Sequence, residues 1–478
     1  MDWNLKAKKL TKQILRTKNF NHCSIVNSAM VSASIFFLSF LLLILPLNSY
    51  SLFPKQALPT KSGYLPINST SGSAIFFAFY EAQHPSSSLS QTPILVWLQG
   101  GPGCSSMIGN FFELGPWRVS SDSKSNESII LKSNPGAWNR KFGVVFIDNP
   151  IGAGFSIASS PEEIPVDQET VAKHLFIALR SFISLEKLWN SRPIYITGES
   201  YAGKYVPSIG YYILRHNSHS SVSEQVNLQG VAIGNGLTHP VTQVATHADT
   251  AYFSGLINEK QRTQLEVLQA EAVRLTQEQK WAQAADARNQ VLRRLENMTG
   301  LATLYDLRRK KPYEMVMVTK FLENEEIKKA LGVNKSIIFE ECSGTVGKAL
   351  HEDVMKSAKY MVQELVKKSK VLLYQGQFDL RDGVVSTEAW IKELRWEGLE
   401  KFLKAERKVW KVNGEVAGYV QKWASLTEVV VSGAGHLVPT DQALSSQAMI
   451  EDRVLENGLF GREIGVLASK LKCAHGDI

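Results

Sequence analysis

Pro193-Ile-Tyr-Ile-Thr-Gly-Glu-Ser-Tyr-Ala-Gly203 is a short buried-strand signal that runs directly into a serine flanked by small residues. A strand that feeds Gly198-x-Ser200 suits a nucleophile elbow, a sharp turn that lifts the hydroxyl out of a sheet. The usual pattern has glycine two residues beyond the serine; here Ala202 takes that place and Gly203 follows. Ser200 is thus the candidate nucleophile.

The same texture recurs on both sides of this stretch. Apolar runs predict strands at Ser73–Glu81, Ile94–Leu98, Gly143–Asp148, Ile194–Thr197, Val231–Gly236, Val371–Tyr374 and Glu428–Val431. Residues Asp167–Trp189 have helical spacing, with Val171, Leu175, Ala178, Leu179 and Phe182 on one face. Residues Pro54–Ser73 read as turn-rich and polar, and Ser86–Thr92 and Ser120–Ser128 as loops. From Asn258 to Glu296 the chain is rich in Gln, Ala, Leu, Glu and Arg without Gly or Pro, so a helical insertion is expected, either a lid or a solvated hairpin. Short apolar strands that alternate with helices predict a mainly parallel sheet covered on both faces. Ligand sites in such folds lie just after the strands. The expected organisation is a leader over residues 1–50, core segments at 51–240 and 336–478, and the insertion or cap at 241–335.

A serine hydroxyl is a weak nucleophile near neutral pH and needs a base, which needs an orienting acid. His436 follows a strand signal in Ser432-Gly-Ala-Gly-His-Leu-Val-Pro-Thr-Asp441, and it is the candidate base. Asp379 and Asp382 both follow the strand at Val371–Tyr374 and compete as the acid. Ser200, an aspartate near 380 and His436 stand in the chain order of α/β-hydrolases. The oxyanion of an acyl-transfer intermediate needs donors. The glycine-rich Trp97-Leu-Gln-Gly-Gly-Pro-Gly-Cys-Ser-Ser106 makes the N–H groups of Gly101 and Tyr201 the candidate pair. A phosphate loop is the rival reading of that cluster, but no Gly-Lys-Ser/Thr or spaced Gly-x-Gly-x-x-Gly follows.

With 478 residues, 44% of them hydrophobic, the chain has ample material for a large core. Its formal net charge of +8 is concentrated at the start, where Lys6, Lys8, Lys9, Lys12, Arg16 and Lys18 face Asp2 alone. These residues precede the apolar run Ala29–Leu47, which favours targeting over nucleic-acid binding; no zinc-finger spacing or similar signature is present. The run is either an uncleaved anchor or, with Met30 as the start, a cleaved signal ending near Asn48–Ser51. Cleavage is favoured and leaves no stable membrane association. Either way the body enters the secretory pathway, to be secreted or vacuolar. Sequons at Asn68, Asn126, Asn297 and Asn334 fit a glycoprotein. Cys23 precedes the run, so Cys104, Cys342 and Cys473 leave arithmetic for one bridge and one free thiol. No zinc-ligand spacing occurs, and no metal or cofactor is implied.

The segments Trp97–Ser106, Asn149–Ser156, Gly198–Pro207, Leu373–Asp379 and Gly433–Gln442, in this order, resemble plant serine carboxypeptidase-like proteins of the serine carboxypeptidase family. Thr299–Asp306 and Cys342–Val346 also look like family stretches. The resemblance covers about Tyr64 to Leu455. It implies an α/β-hydrolase fold with a helical cap, and a triad of Ser200, Asp379 and His436. It implies oxyanion donors on Gly101 and Tyr201, a site for the substrate's terminal carboxylate at Trp97, Gln99, Gly100 and Glu199, and a disulfide between Cys104 and Cys342. Two acidic groups meeting at Glu199 would repel unless one holds a proton, so best activity at acidic pH is expected. The sequence departs from the family pattern at Gln99, Gln377 and Ala443, where asparagine, aspartate and proline are usual. It also has fewer cysteines. Release of C-terminal residues from peptides is the leading functional reading. Acyl transfer from a glucose ester by the same triad, and a non-catalytic secreted binding protein, are the alternatives.

Overall fold

The computed structural model describes residues 53–461, apart from 69, 123–124 and 222–223. The expected leader, Cys23, Cys473 and the side chain of Asn126 lie outside the described residues.

Twelve strands follow one another among the described residues: β1 (Lys61–Asn68), β2 (Ser73–Tyr80), β3 (Ile94–Leu98), β4 (Trp117–Asp122), β5 (Ser125–Ser133), β6 (Gly143–Ile147), β7 (Ile194–Glu199), β8 (Leu228–Gly234), β9 (Lys370–Gly376), β10 (Lys408–Val412), β11 (Glu415–Trp423) and β12 (Leu426–Val431). Ten of them form one sheet in the order β1-β2-β6-β3-β7-β8-β9-β12-β11-β10. The stretch from β6 to β12 is parallel, and antiparallel strands finish both ends. This is an α/β-hydrolase fold.

The central part of the sheet is buried on both faces because its strands are largely apolar along their length. Along β3, Ile94, Val96 and Leu98 enter one core, whereas Leu95 and Trp97 enter the other. Successive strand side chains point to opposite faces, so a continuous apolar run supplies both layers. The first layer is closed by the helices Gln168–Ser184, Ala202–Asn217 and Lys359–Lys368, through Val171, Leu175, Val206, Ile209, Val362 and Leu365. The expected helical face at Val171–Phe182 is buried in this layer. Asp167 starts that helix by accepting the N–H of Thr170 at 2.8 Å. Each large apolar side chain so buried contributes about 1.5–3 kcal/mol.

Two expectations need correction. Residues Pro54–Ser73, read as turns, contain β1. It is an edge strand, half-buried and interrupted by Gly63 and Pro66, so its pattern is weak. Residues Ser120–Ser128, read as a loop, belong to the separate β4–β5 hairpin. The helix-rich stretch from Asn258 to Glu296 is two helices, Glu259–Gln277 and Trp281–Thr299, which turn at Gln279 with φ +58°. Asn258 and Gln261 form a reciprocal cap at the start of the first, and Gly300, at φ +65°, ends the second. The two helices bury Leu265, Ala272, Val291 and Leu295 in a third apolar cluster that also takes in Met355 and Leu380.

Candidate active site

Six parallel strands end on the same side of the sheet, and the segments that follow them carry the sequence-predicted side chains. Beyond β7, Ser200 has φ +62°, a left-handed conformation costly for a residue with a side chain. Its N–H donates to the Gly234 carbonyl at 2.9 Å, and its carbonyl accepts the Leu237 N–H at 2.9 Å. The displaced glycine has a physical reason. A Cβ on Gly203 would lie 2.6 Å from the Leu237 nitrogen, whereas Ala202 packs beside Gly198. Glycine is needed where the elbow helix crosses the loop after β8, one residue later than usual.

Beyond β9 and β12 come Asp379 and His436. His436 Nδ1 bonds Asp379 Oδ2 at 2.7 Å, and both side chains are buried. Nε2 of His436 has no hydrogen-bond partner among the described residues. Asp379 also accepts the Asn235 side-chain amide on Oδ2 at 2.7 Å and the Arg381 N–H on Oδ1 at 2.7 Å. The competitor Asp382 is turned away and bonds Arg288 at 3.2 Å. The strand ends carrying Asp379 and His436 are pressed together, because a Cβ on Gly376 would meet the Gly435 carbonyl at 1.9 Å.

The glycine-rich loop after β3 lies on the elbow. A Cβ on Gly100 would sit 2.6 Å from the Tyr201 nitrogen and 2.9 Å from the Ser200 Cβ. Gly101 adopts φ +110°. Tyr201 stands at the head of the helix Ala202–Asn217, where the first N–H groups lack intrahelical acceptors. Cys104 and Cys342 form a disulfide. Around it Ser343 N–H donates to Gly103 and Ser105 N–H to Glu341, each at 2.9 Å. Asp148, at the end of β6, accepts Ser105 Oγ at 2.7 Å and the Ser106 N–H at 2.8 Å.

Trp97, Gln99, Gly100 and Glu199 are brought together and buried. Gln99 Oε1 accepts Trp97 Nε1–H at 2.9 Å; its amide donates to Glu199 at 2.9 Å and to Glu113 at 3.1 Å. Burial raises the pKa of Glu199 well above the ordinary carboxylate value, and the neighbouring charge of Glu113 raises it further. Burial also raises Glu113, with Gln99 opposing. Among the described residues, Glu113 Oε2 and Glu199 Oε2 have no donor, and the two carboxyls act on each other, so a proton held between them would satisfy both.

Sequence reasoning missed Glu113, Asn235 and Tyr305. Tyr305 stacks on the His436 ring, and its carbonyl accepts the His436 N–H at 2.7 Å. Glu113 is an acidic residue in an apolar stretch with no local signature, and only its buried place reveals it. Asn235, at φ +43°, was within reach of the sequence as a polar residue at a strand end. The sequon residues Asn68, Asn297 and Asn334 are all exposed. Among the described residues no group of three or more His, Cys, Asp or Glu could hold a metal ion.

Comparison with known proteins identifies the family. The serine carboxypeptidase family matches residues 53–456. Serine carboxypeptidase-like 50 of Arabidopsis thaliana is 57% identical over 411 residues, 86% of this chain and 90% of that one. Venom serine carboxypeptidase of Apis mellifera is 34% identical over 397 residues, 81% of this chain and 82% of that one. The crystal structure of a prohormone-processing carboxypeptidase from Saccharomyces cerevisiae superposes with a TM-score of 0.74 at 26% identity, over 84% of this chain and 94% of that one. The chain belongs to the serine carboxypeptidase family.

Proposed function

We propose that the chain is a serine carboxypeptidase in which Ser200, His436 and Asp379 act as nucleophile, base and orienting acid. His436 Nε2 takes the Ser200 proton as Oγ attacks the last peptide carbonyl. The N–H groups of Gly101 and Tyr201 donate to the oxyanion. His436 then returns its proton to the leaving amine, which departs as the C-terminal amino acid. Water, deprotonated by His436, frees the acyl group from Ser200. Asp379, fixed by Asn235 and by the Arg381 N–H, holds Nδ1 protonated and stabilises the imidazolium.

The substrate's terminal carboxylate is held by the Gly100 backbone and by protonated Glu199, with Gln99 and Trp97 fixing that carboxyl. Family membership supports the peptidase reading, and the observation that carries the triad is the 2.7 Å His436–Asp379 bond together with the unpaired Nε2. A disulfide and exposed sequons support passage through the secretory pathway. The test is labelling of the folded protein by a fluorophosphonate probe. The expected adduct is on Ser200 and is lost in Ser200→Ala; an unlabelled Ser200 contradicts the assignment.

A further inference from the structure

A cavity of about 160 Å³ opens beside the nucleophile. Its wall shares Ser200, Gly101 and Tyr201 with the reaction centre but includes none of Trp97, Gln99, Gly100 or Glu199. The leaving amino acid occupies the Gln99–Glu199 side, so the acyl half of the substrate faces this cavity. Drug-sized pockets run to about 300–1,000 Å³; this one has room for a single side chain.

Its wall is charged unevenly. Arg288 is buried and engaged with buried Asp382 at 3.2 Å. Arg381 is 29% exposed, and only its Nε approaches Asp382, at 3.8 Å. The Arg381 guanidinium lies 5.3 Å from the Tyr305 ring centroid. Its terminal nitrogens make no hydrogen bond among the described residues. His351 is occupied by Asp286 at 3.1 Å. Asp379 turns its buried carboxylate to His436 and Asn235, and Glu296 acts on Arg381 only through space. The charge presented to an acyl group is therefore a guanidinium with unused donors, held in place by an aromatic face.

We propose that this cavity is the acyl-side subsite and that Arg381 makes the enzyme select an acidic residue, aspartate or glutamate, immediately before the scissile bond. The proposal rests on the carboxypeptidase reading. Arginine suits this role because its planar fork matches a carboxylate bidentately.

The test uses N-blocked dipeptides with one common C-terminal residue and Glu, Gln or Lys before it. The wild type should show kcat/KM for Glu over Gln of about tenfold or more, with Lys lowest. In Arg381→Gln the Glu-to-Gln ratio should fall toward one; Arg381→Lys should retain part of it, and Arg381→Glu should favour Lys. Equal turnover of the Glu and Gln substrates by the wild type overturns the subsite assignment while leaving the peptidase reading intact. No turnover of any of the three overturns both.

Discussion

Tyr305 lies flat on His436, with ring centroids 4.4 Å apart and planes 6° from parallel. The stack limits rotation of the His436 ring, whose Nδ1 is bonded to Asp379 and whose Nε2 has no partner among the described residues. Such a contact is worth about 0.5–1.5 kcal/mol. Tyr305→Leu should lower kcat by roughly 2- to 10-fold with little change in KM. Steady-state kinetics on one short peptide checks this; a rise in KM with constant kcat would assign Tyr305 to substrate binding instead.

In the proposed binding mode, Glu199 gives the pH dependence its sign. Its pKa is raised above the ordinary 4.5 by burial and by Glu113. The protonated form, which can donate to a substrate carboxylate, persists below that raised value and is lost as pH rises through it. KM for peptides should therefore rise with pH, and Glu199→Gln should flatten the rise because an amide donates at every pH. Stability follows the same direction. The contribution from the raised carboxyl is fully present below its unfolded value and is lost as pH rises through the folded one. Melting of Glu199→Gln should accordingly fall less steeply with pH than melting of the wild type. KM profiles and thermal melts between about pH 4 and 8 check both, and a flat wild-type KM contradicts the assignment.

Gln99 satisfies Trp97, Glu113 and Glu199 at once. Gln99→Leu leaves these groups without their shared amide, a loss of about 1–3 kcal/mol for each buried orphan. KM for free-carboxylate peptides should rise by roughly tenfold or more, whereas a substrate with a blocked C-terminus should be affected less. Equal loss on both substrates would make Gln99 a general structural residue.

The Cys104–Cys342 bridge closes a loop with a sequence separation of 238 and fastens the chain just beyond Gly101. Cys342→Ala should reduce stability by about 2–5 kcal/mol, read from denaturant melts. An unchanged midpoint contradicts that account.

Much of this was legible in the sequence for a physical reason. Strands β3, β6, β7, β8, β9 and β12 are mostly buried on both faces, so each contains a short apolar run, and the loops after them carry Ser200, Asp379 and His436. Edge strand β1 and the hairpin strands are partly exposed, and their apolar signal falls below that of a turn. The residues alone left Asp379 and Asp382 open, because both follow β9; the family resemblance pointed to Asp379, and their partners, His436 and Arg288, separate the two. Tyr305 was hidden for a similar reason. It acts from a segment more than a hundred residues from His436, and no local pattern marks a stacking partner.

The most direct test of the central claim is mass spectrometry of products from a mixed peptide library, with Ser200→Ala as control. Loss of single C-terminal residues by the wild type alone is the predicted result. No such loss, or equal loss by the Ser200→Ala protein, would contradict it.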